Sequence, residues 1–278
     1  MSITITNLGY VSKRLECFSF LFYMFNDKHI SNIKNPIARN IFATIMLSRA
    51  YSTCKILKKA PSPLLDITKS QASKLQKILN IQVNHCFSYS KPFCKDKNTT
   101  MFPLYTVYSN TLYGILFDKK PKKILPPLCA FKEFNAFYIQ KLQDKFTALH
   151  PQAVIFSNHS LPLSLAKKDS YEKDTYVFCN LLATNLNLKE YYISFQSKLG
   201  LVKWIEPSTL NTLKSLKNKS VLIVPVSFVS DNTETLYEID YMYAQVAKNL
   251  NIKLERLECF NDSNDFIEIL SKILLRYI

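Results

Sequence analysis

The stretch Val221-Leu-Ile-Val-Pro-Val-Ser-Phe-Val-Ser-Asp-Asn-Thr-Glu-Thr-Leu-Tyr-Glu-Ile-Asp240 decides the fold class of this 278-residue chain. It opens on an apolar run, Val221 to Val224, ended by Pro225. Such a run, with no polar alternation, is the pattern of a strand buried on both faces, as in a parallel sheet. A polar loop follows, then a helical pattern from Thr233 to Leu250. The same alternation recurs on either side. Ala153-Val-Ile-Phe156 reads as a strand, Tyr176 to Leu186 as a helix and Tyr191-Tyr-Ile-Ser-Phe195 as a strand. Pro207 to Leu216 reads as a helix with proline near its first turn, Lys253 to Leu257 as a strand and Asp265 to Leu275 as the last helix. Strands alternating with helices imply βαβ units and a parallel sheet, an α/β fold.

The first half reads as less regular. Ile3-Thr-Ile5 and Ile81 to Phe87 look like strands; Phe18 to Phe25, Pro36 to Lys58 and Thr68 to Leu79 look helical. Pro103 and Pro126-Pro127 punctuate the rest, Lys119 to Lys123 reads as a solvated basic loop, and no internal repeat is visible. Residues 1–150 hold 22 basic side chains against 7 acidic, whereas 151–278 hold 14 of each, within a net charge of +15. The shift in charge and regularity sets a boundary near residue 150, dividing the chain into halves 1–150 and 151–278. It also points to an anionic partner for the first half: nucleic acid, an anionic membrane surface or a small acidic ligand. The plain alternative is a general bias toward lysine.

Several classes are disfavoured. Glycine occurs three times, at Gly9, Gly114 and Gly200, too far apart for a glycine-rich phosphate loop. The seven cysteines, at 17, 54, 86, 94, 129, 179 and 259, include no C-x-x-C. The usual zinc and cluster spacings are thereby excluded, and the odd count argues against a secreted disulfide framework, so reduced thiols are expected. No run reaches the ~18 apolar residues of a membrane span. Leu15 to Phe25, led by Lys13 and Arg14, resembles a signal peptide, but Glu16 interrupts it and no small-residue cleavage site follows. It reads as an apolar amphipathic helix that rests on a membrane or closes a hydrophobic cleft.

Three stretches place chemistry at strand ends, where open α/β sheets bind ligands. In Ser157-Asn-His-Ser-Leu-Pro162, His159 can act as base, proton acceptor or metal ligand, or it simply caps a loop. In the opening stretch, Asp231-x-x-Glu234 has capping-box spacing, so Glu234 either holds a helix N-terminus or offers a carboxylate beside His159. Gln196-Ser-Lys-Leu-Gly-Leu-Val-Lys-Trp-Ile-Glu-Pro207 carries the only tryptophan, Trp204, as a core residue or as an aromatic wall for a flat ligand.

Together these stretches resemble the ferrochelatase family, which reads S-A-H-S/G-L-P, then Q-S-K/R-x-G-x-x-x-W-L-x-P, then P-x-x-F-x-S-D-H-x-E-T-L-x-E-x-D. The first half is similar but weaker. Asn7-Leu8-Gly9 resembles N-L/M-G-G-P, Phe20 to Asp27 resembles F-L-x-x-L-F-x-D, and Arg49-Ala50 resembles R-A/T-P. Ser62-Pro-Leu resembles the end of G-G-G-S-P-L/I, Phe87-Ser-Tyr89 resembles M/F-R-Y, and Tyr105-Thr-Val-Tyr-Ser109 resembles Y-P-Q-Y-S. Asn232 stands where the family has histidine, Ser88 where it has arginine, and several family glycines are absent.

The resemblance implies two Rossmann-like, chelatase-type halves, each a parallel sheet flanked by helices, around a porphyrin cleft. It implies a lyase that inserts Fe2+ into protoporphyrin IX, the terminal step of heme biosynthesis, with no organic cofactor and with iron as substrate. His159 would accept pyrrole protons or ligate the metal, and Glu234 would ligate iron or carry protons. Leu8, Tyr89, Tyr105, Trp204 and Phe228 would line or support the porphyrin pocket, and Arg49 and Ser62 would meet propionates. The Phe18 to Phe25 helix would form a hydrophobic lip facing a membrane. A cytoplasmic location is implied, with peripheral contact at the inner membrane as a further implication. A degenerate, non-catalytic tetrapyrrole-binding protein is the alternative. A nucleic-acid partner is not expected, since no binding module is recognisable and such a partner explains none of the second-half motifs.

Overall fold

The computed structural model describes residues 2–198, 200 and 202–278; Leu199 and Leu201 of the Gln196–Pro207 motif lie outside the described residues. The chain order is β1 (Ser2–Asn7), α1 (Glu16–Phe25), α2 (Lys28–Ser31), α3 (Pro36–Met46), α4 (Ala50–Lys59), α5 (Leu64–Leu79), β2 (Gln82–Phe87), β3 (Thr100–Pro103), α6 (Asn110–Asp118), β4 (Lys123–Ile124) and α7 (Lys132–Leu149). It continues with β5 (Ala153–His159), α8 (Leu163–Ala166), α9 (Tyr171–Asn185), β6 (Tyr191–Gln196), α10 (Thr209–Ser215) and β7 (Ser220–Pro225). A π-helix (Glu234–Tyr243), α11 (Ala244–Asn249), β8 (Lys253–Arg256) and α12 (Asn264–Leu274) complete it. The strands form two four-stranded parallel sheets, ordered β2-β1-β3-β4 and β6-β5-β7-β8. The α/β class with two parallel sheets is as expected. The irregular first half is not, because both sheets have the same strand order. β3 escaped the sequence reading because it is four residues long and ends on Pro103, and β4 is only two residues.

Period-2 burial explains the layering of the second sheet. Val154 and Phe156 of β5, with Leu222 and Val224 of β7, face one core cluster; Ala153, Ile155, Val221 and Ile223 face another. The second cluster is closed by Leu213 and Leu216 near α10 and by Ile239 and Tyr243 of the π-helix. The first cluster also contains Ile3 and Ile5 of β1, Phe134, Tyr138 and Leu142 of α7, and Phe266 and Leu270 of α12, so one core runs across both sheets. Each fully buried residue of this kind contributes about 1.5–3 kcal/mol relative to exposure.

Asparagine takes much of the turn work usually left to glycine. Asn32, Asn80, Asn187, Asn218, Asn251 and Asn261 all hold positive φ, and Asn32 and Asn80 end α2 and α5 in the left-handed conformation. Its short polar side chain is the one that tolerates this region best after glycine. Gly114 is needed for a different reason: a Cβ there would lie 2.3 Å from Nδ1 of His29, whose ring packs on α6.

Three expectations are corrected. Cys86 and Cys94 form a disulfide, with Cα atoms 4.9 Å apart. The backbone folds back between them through Phe87 N to Pro92 O and Cys94 N to Phe87 O hydrogen bonds, which no spacing rule shows. Pro207 does not open a helix: Ser208 caps α10, its hydroxyl accepting from Asn211 N at 3.2 Å. The Asp231–Glu234 capping box does not form either. Asn232 Oδ1 accepts from Glu234 N at 2.7 Å and Thr235 N at 3.3 Å, while Asp231 is held by Arg256 and Asn261.

Candidate active site

The polar end of the second sheet is built on a buried network. Ser157 Oγ donates to Gln196 Oε1 at 2.5 Å and lies 2.9 Å from the Thr209 hydroxyl, which also meets Ser194. This network fixes the ends of the adjacent strands β5 and β6. His159 is the last residue of β5. Its N–H donates to Ser227 Oγ at 2.9 Å, and its carbonyl accepts from Tyr171 Oη at 2.7 Å. With its backbone held on both sides, its Nδ1 lies 2.9 Å from Glu234 Oε2. A carboxylate at Nδ1 favours the tautomer with its proton there and leaves the Nε2 lone pair available. Nε2 makes no hydrogen bond among the described residues. The side chains of His159 and Glu234 are 36% and 34% exposed, so a ligand can reach them.

Glu234 begins the π-helix, a rare form that gathers at functional sites. Residues four apart on a helix lie on one face. Glu238 is thereby brought beside Glu234. Ser197 joins them: its hydroxyl lies 2.9 Å from Glu234 Oε2 and 3.0 Å from Glu238 Oε2, and its N–H donates to the latter at 3.0 Å. Ser197 holds φ +67°, an uncommon conformation for serine, of the kind that persists where surrounding structure enforces it. Burial alone would lower the His159 pKa, but the charge and hydrogen bond of Glu234, with the charge of Glu238, raise it above its ordinary value. Glu234 is lowered: burial opposes ionisation, but His159 and the Ser197 hydrogen bond outweigh it. Glu238 is pushed up to about 7, first by burial and then by the Glu234 charge. Two carboxylates and an imidazole thus sit together with their proton affinities pulled apart, an arrangement that suits proton transfer.

The remaining expected residues divide. Phe228 sets its ring edge-on to His159, centroids 6.3 Å apart, and its backbone bridges to Tyr105 of the other half. Tyr105 is buried and its hydroxyl has no partner among the described residues. Trp204 is half-buried and bridges through its backbone to Pro162, three residues beyond His159. Arg49 precedes α4, half-buried, with Nη1 4.0 Å from where a Cβ on Gly200 would stand. Leu8, Ser62 and Tyr89 lie in the first half and are not brought to the His159–Glu234 pair. Leu8 O accepts from Tyr89 N, and the buried Tyr89 hydroxyl donates to Asp27 at 2.8 Å, so that hydroxyl holds the junction of α1 and α2. Ser62 is buried before α5, its hydroxyl accepting from Leu64 N. Glu238 and Ser197 were missed as site residues. The i, i+4 spacing of Glu234 and Glu238 was a signal, since it puts both carboxylates on one helix face, but the Ser197 hydroxyl that joins them comes from another element. A cavity of about 280 Å³ opens behind that helix, lined by Asp240, Arg256 and Glu258. There Arg256 is paired with Asp240 and Glu258 with Lys145, and the titratable cluster lies elsewhere.

Two solved structures share this architecture. CbiX, the terminal enzyme for biosynthesis of siroheme in denitrifying bacteria, matches with a TM-score of 0.57 at 9% identity, all of both chains covered. SirB from Bacillus subtilis, solved with Fe3+, matches with a TM-score of 0.53 at 11% identity, over 99% of this chain and 95% of SirB. At such identities the likeness is one of fold alone. Sequence relationships carry it further. The ferrochelatase family model matches residues 1–277. Ferrochelatase of Campylobacter concisus is 30% identical over 298 positions, covering 95% of this chain and 94% of the relative. Ferrochelatase of Campylobacter jejuni subsp. doylei is 32% identical, covering 96% of each chain, and that of Rickettsia conorii 29%, covering 100% and 90%. The chain belongs to the ferrochelatase family, and with it to the metal chelatases.

Proposed function

We propose that this protein inserts ferrous iron into protoporphyrin IX, releasing two protons and forming heme as the terminal step of its synthesis. The observation that supports this reading most is the chain His159–Glu234–Ser197–Glu238, four groups in hydrogen-bond sequence at the carboxyl ends of a parallel sheet. Insertion needs a base that reaches the pyrrole N–H groups and an anionic site for the metal. Nε2 of His159 supplies the base. As it takes a proton, the Nδ1 proton moves toward Glu234, whose negative charge stabilises the imidazolium. The Ser197 hydroxyl then links Glu234 to Glu238, which titrates near neutral pH and can hold or release the second proton. Glu234 and His159 are the pair placed to hold the iron on its way in. Phe228, Tyr105 and Trp204 support the macrocycle, with Arg49 at a propionate, and Leu8, Tyr89 and Ser62 shape the first-half wall. No organic cofactor enters this scheme. An anaerobic assay with ferrous iron and protoporphyrin, followed by absorbance, tests it. Porphyrin that binds without converting would replace catalysis with a binding role.

Membrane contact belongs to the same proposal, with one change of emphasis. Helix α1 is amphipathic: Cys17 and Leu21 are buried, while Phe18 and Tyr23 are exposed. Glu16, which interrupts the apolar run, accepts from the N–H groups of Ser12 and Lys13 and so fixes the start of the helix. The more exposed stripe is on α3, where Ile37, Ile41 and Ile45 line one face at 72%, 58% and 63% exposure. From residue 28 to 65 the chain has seven Lys and Arg and no Asp or Glu. Apolar side chains ringed by cations suit an anionic bilayer surface. Among the described residues, no helix is long and apolar enough to cross a membrane. Sedimentation with anionic vesicles should retain the parent and lose most of an Ile41→Glu variant; equal retention would remove α3 from the contact.

A further inference from the structure

Helix α4 rests on the second half at both ends. At its start, Arg49 lies against Gly200, in the loop just beyond Ser197. At its end, Lys59 Nζ donates to Tyr241 Oη at 2.7 Å and sits 4.3 Å from the centre of the same ring. Tyr241 is stacked on Tyr237, centroids 5.6 Å apart and planes 19° from parallel, both on the π-helix that carries Glu234 and Glu238. Ten residues of α-helix, about 15 Å, therefore span the two elements that hold the carboxylate cluster.

The Lys59 contact is chemically unusual for a surface ammonium. Its partners are a neutral phenol and a ring face, and no carboxylate pairs with it among the described residues. Its own stretch, 28 to 65, has none to offer. Asp240, next to Tyr241, is taken by Arg256 through two bonds of 2.7 and 2.9 Å. A carboxylate is the stronger acceptor for an ammonium, so an arriving carboxylate competes well against the phenol. We propose that Lys59 is a carboxylate-binding residue for the tetrapyrrole, and that the ligand's carboxylate frees α4 from the π-helix by drawing Lys59 away from Tyr241. This rests on the tetrapyrrole reading above and adds to it a binding residue and an order of events.

The test uses the full-length protein and two probes, deuteroporphyrin with its two carboxylates and deuteroporphyrin dimethyl ester with none, followed by stopped-flow fluorescence. The parent should bind the dicarboxylate at least about tenfold more tightly than the ester, as expected for a charge-assisted contact. Lys59→Met should lose several-fold of that preference, leaving the share that Arg49 carries, while binding the ester as the parent does. Tyr241→Phe, which keeps the ring but removes the acceptor, should keep the preference and take up both probes several-fold faster. Both residues are solvent-accessible, so neither change threatens the core. If the parent binds both probes and Lys59→Met keeps the full preference, or if Tyr241→Phe leaves the uptake rates unchanged, the proposal is overturned and the contact is a surface pair only. If the parent binds neither probe, the tetrapyrrole reading fails and takes this proposal with it.

Discussion

The two halves have one strand order and two different uses for it. In the second half, β5 ends on His159 and the connection to β6 is short, residues 160–190, with α8 and α9 packed as cover. In the first half, β1 ends on Asn7 and the corresponding connection runs from 8 to 81, more than twice as long, and contains α1 to α5. The second half thus gathers titratable groups at its strand ends. The first half spends its extra length on a cation-rich helical flap that reaches across to the other half. Charge is divided in the same way: residues 8–81 hold 12 basic side chains against 3 acidic, whereas 160–190 hold 4 of each. A common sheet therefore does not imply shared chemistry; the connection leaving its first strand decides it.

That division breaks first if the chemistry is not confined to the second half. His159→Ala should abolish metal insertion, a loss of at least about 10²–10⁴-fold for a proton acceptor. Tetrapyrrole affinity should change by less than about tenfold, roughly 1.4 kcal/mol. Turnover within a few-fold of the parent would remove His159 from the mechanism. Glu234→Gln should also lower turnover strongly while lowering the melting temperature only modestly, since the helix is capped by Asn232 and what is lost is the charge contact with His159.

Binding should respond to the first half. Arg49→Ala should weaken tetrapyrrole binding about ten- to a hundredfold, the range of a charge-assisted hydrogen bond. Ser88, which stands where the family has arginine, is 6% exposed and its hydroxyl has no partner among the described residues. Ser88→Arg in the Arg49→Ala background should recover part of the affinity while costing about 1–3 kcal/mol in stability, as overpacking does. Fluorescence titration and thermal melts of the three proteins measure both. Parental affinity in Arg49→Ala would remove Arg49 from carboxylate recognition and leave the first-half charge beyond Lys59 to membrane attraction or to a general bias toward lysine.

The second half was legible because its strands are unbroken apolar runs, such as Val221 to Val224, whose burial on both faces leaves one reading. In the first half β1 and β2 were legible too, from Ile3 to Ile5 and from Ile81 to Phe87, whereas β3, which ends on Pro103, and the two-residue β4 were short enough to be lost among loops. His159 and Glu234 were legible from motif and position at strand ends. Glu238 was not, because its link to Glu234 runs through Ser197, which arrives from the loop after β6 as a tertiary contact. The capping role differed from expectation by one residue, Asn232 for Asp231, since Asp231 is claimed by Arg256 from β8, a tertiary contact. Asn232→Ala should therefore cost about 0.5–2 kcal/mol. At this chain length that is a drop of roughly 2–4 °C in Tm per kcal/mol. A melt unchanged by that substitution would mean that the π-helix is held by packing alone.

The smallest expected effect tests whether the second half carries a pH-dependent strain as the counterpart of its chemistry. An ordinary glutamate titrates near 4.5, whereas Glu238 is pushed up to about 7 by burial and by Glu234. Between those values the folded chain keeps a proton that the unfolded chain has released. Stability linked to Glu238 is therefore fully present below about 4.5 and is lost as pH rises through about 7. Glu234 runs the other way. Its pKa is lowered, so its contribution is present above 4.5 and is lost as pH falls below that value. Glu238→Gln removes the first dependence and leaves the second. It also keeps an amide oxygen that can accept from Ser197 N–H. The metal-free variant should melt no higher than the parent at pH 5 and above it at pH 8. Partial solvent access screens the interaction, so we expect a swing of about 1 kcal/mol, roughly 2–4 °C. A constant difference in Tm across that range would show that Glu238 titrates alike in the folded and unfolded chains, and would leave Glu234 alone as the carboxylate that sets the second half apart.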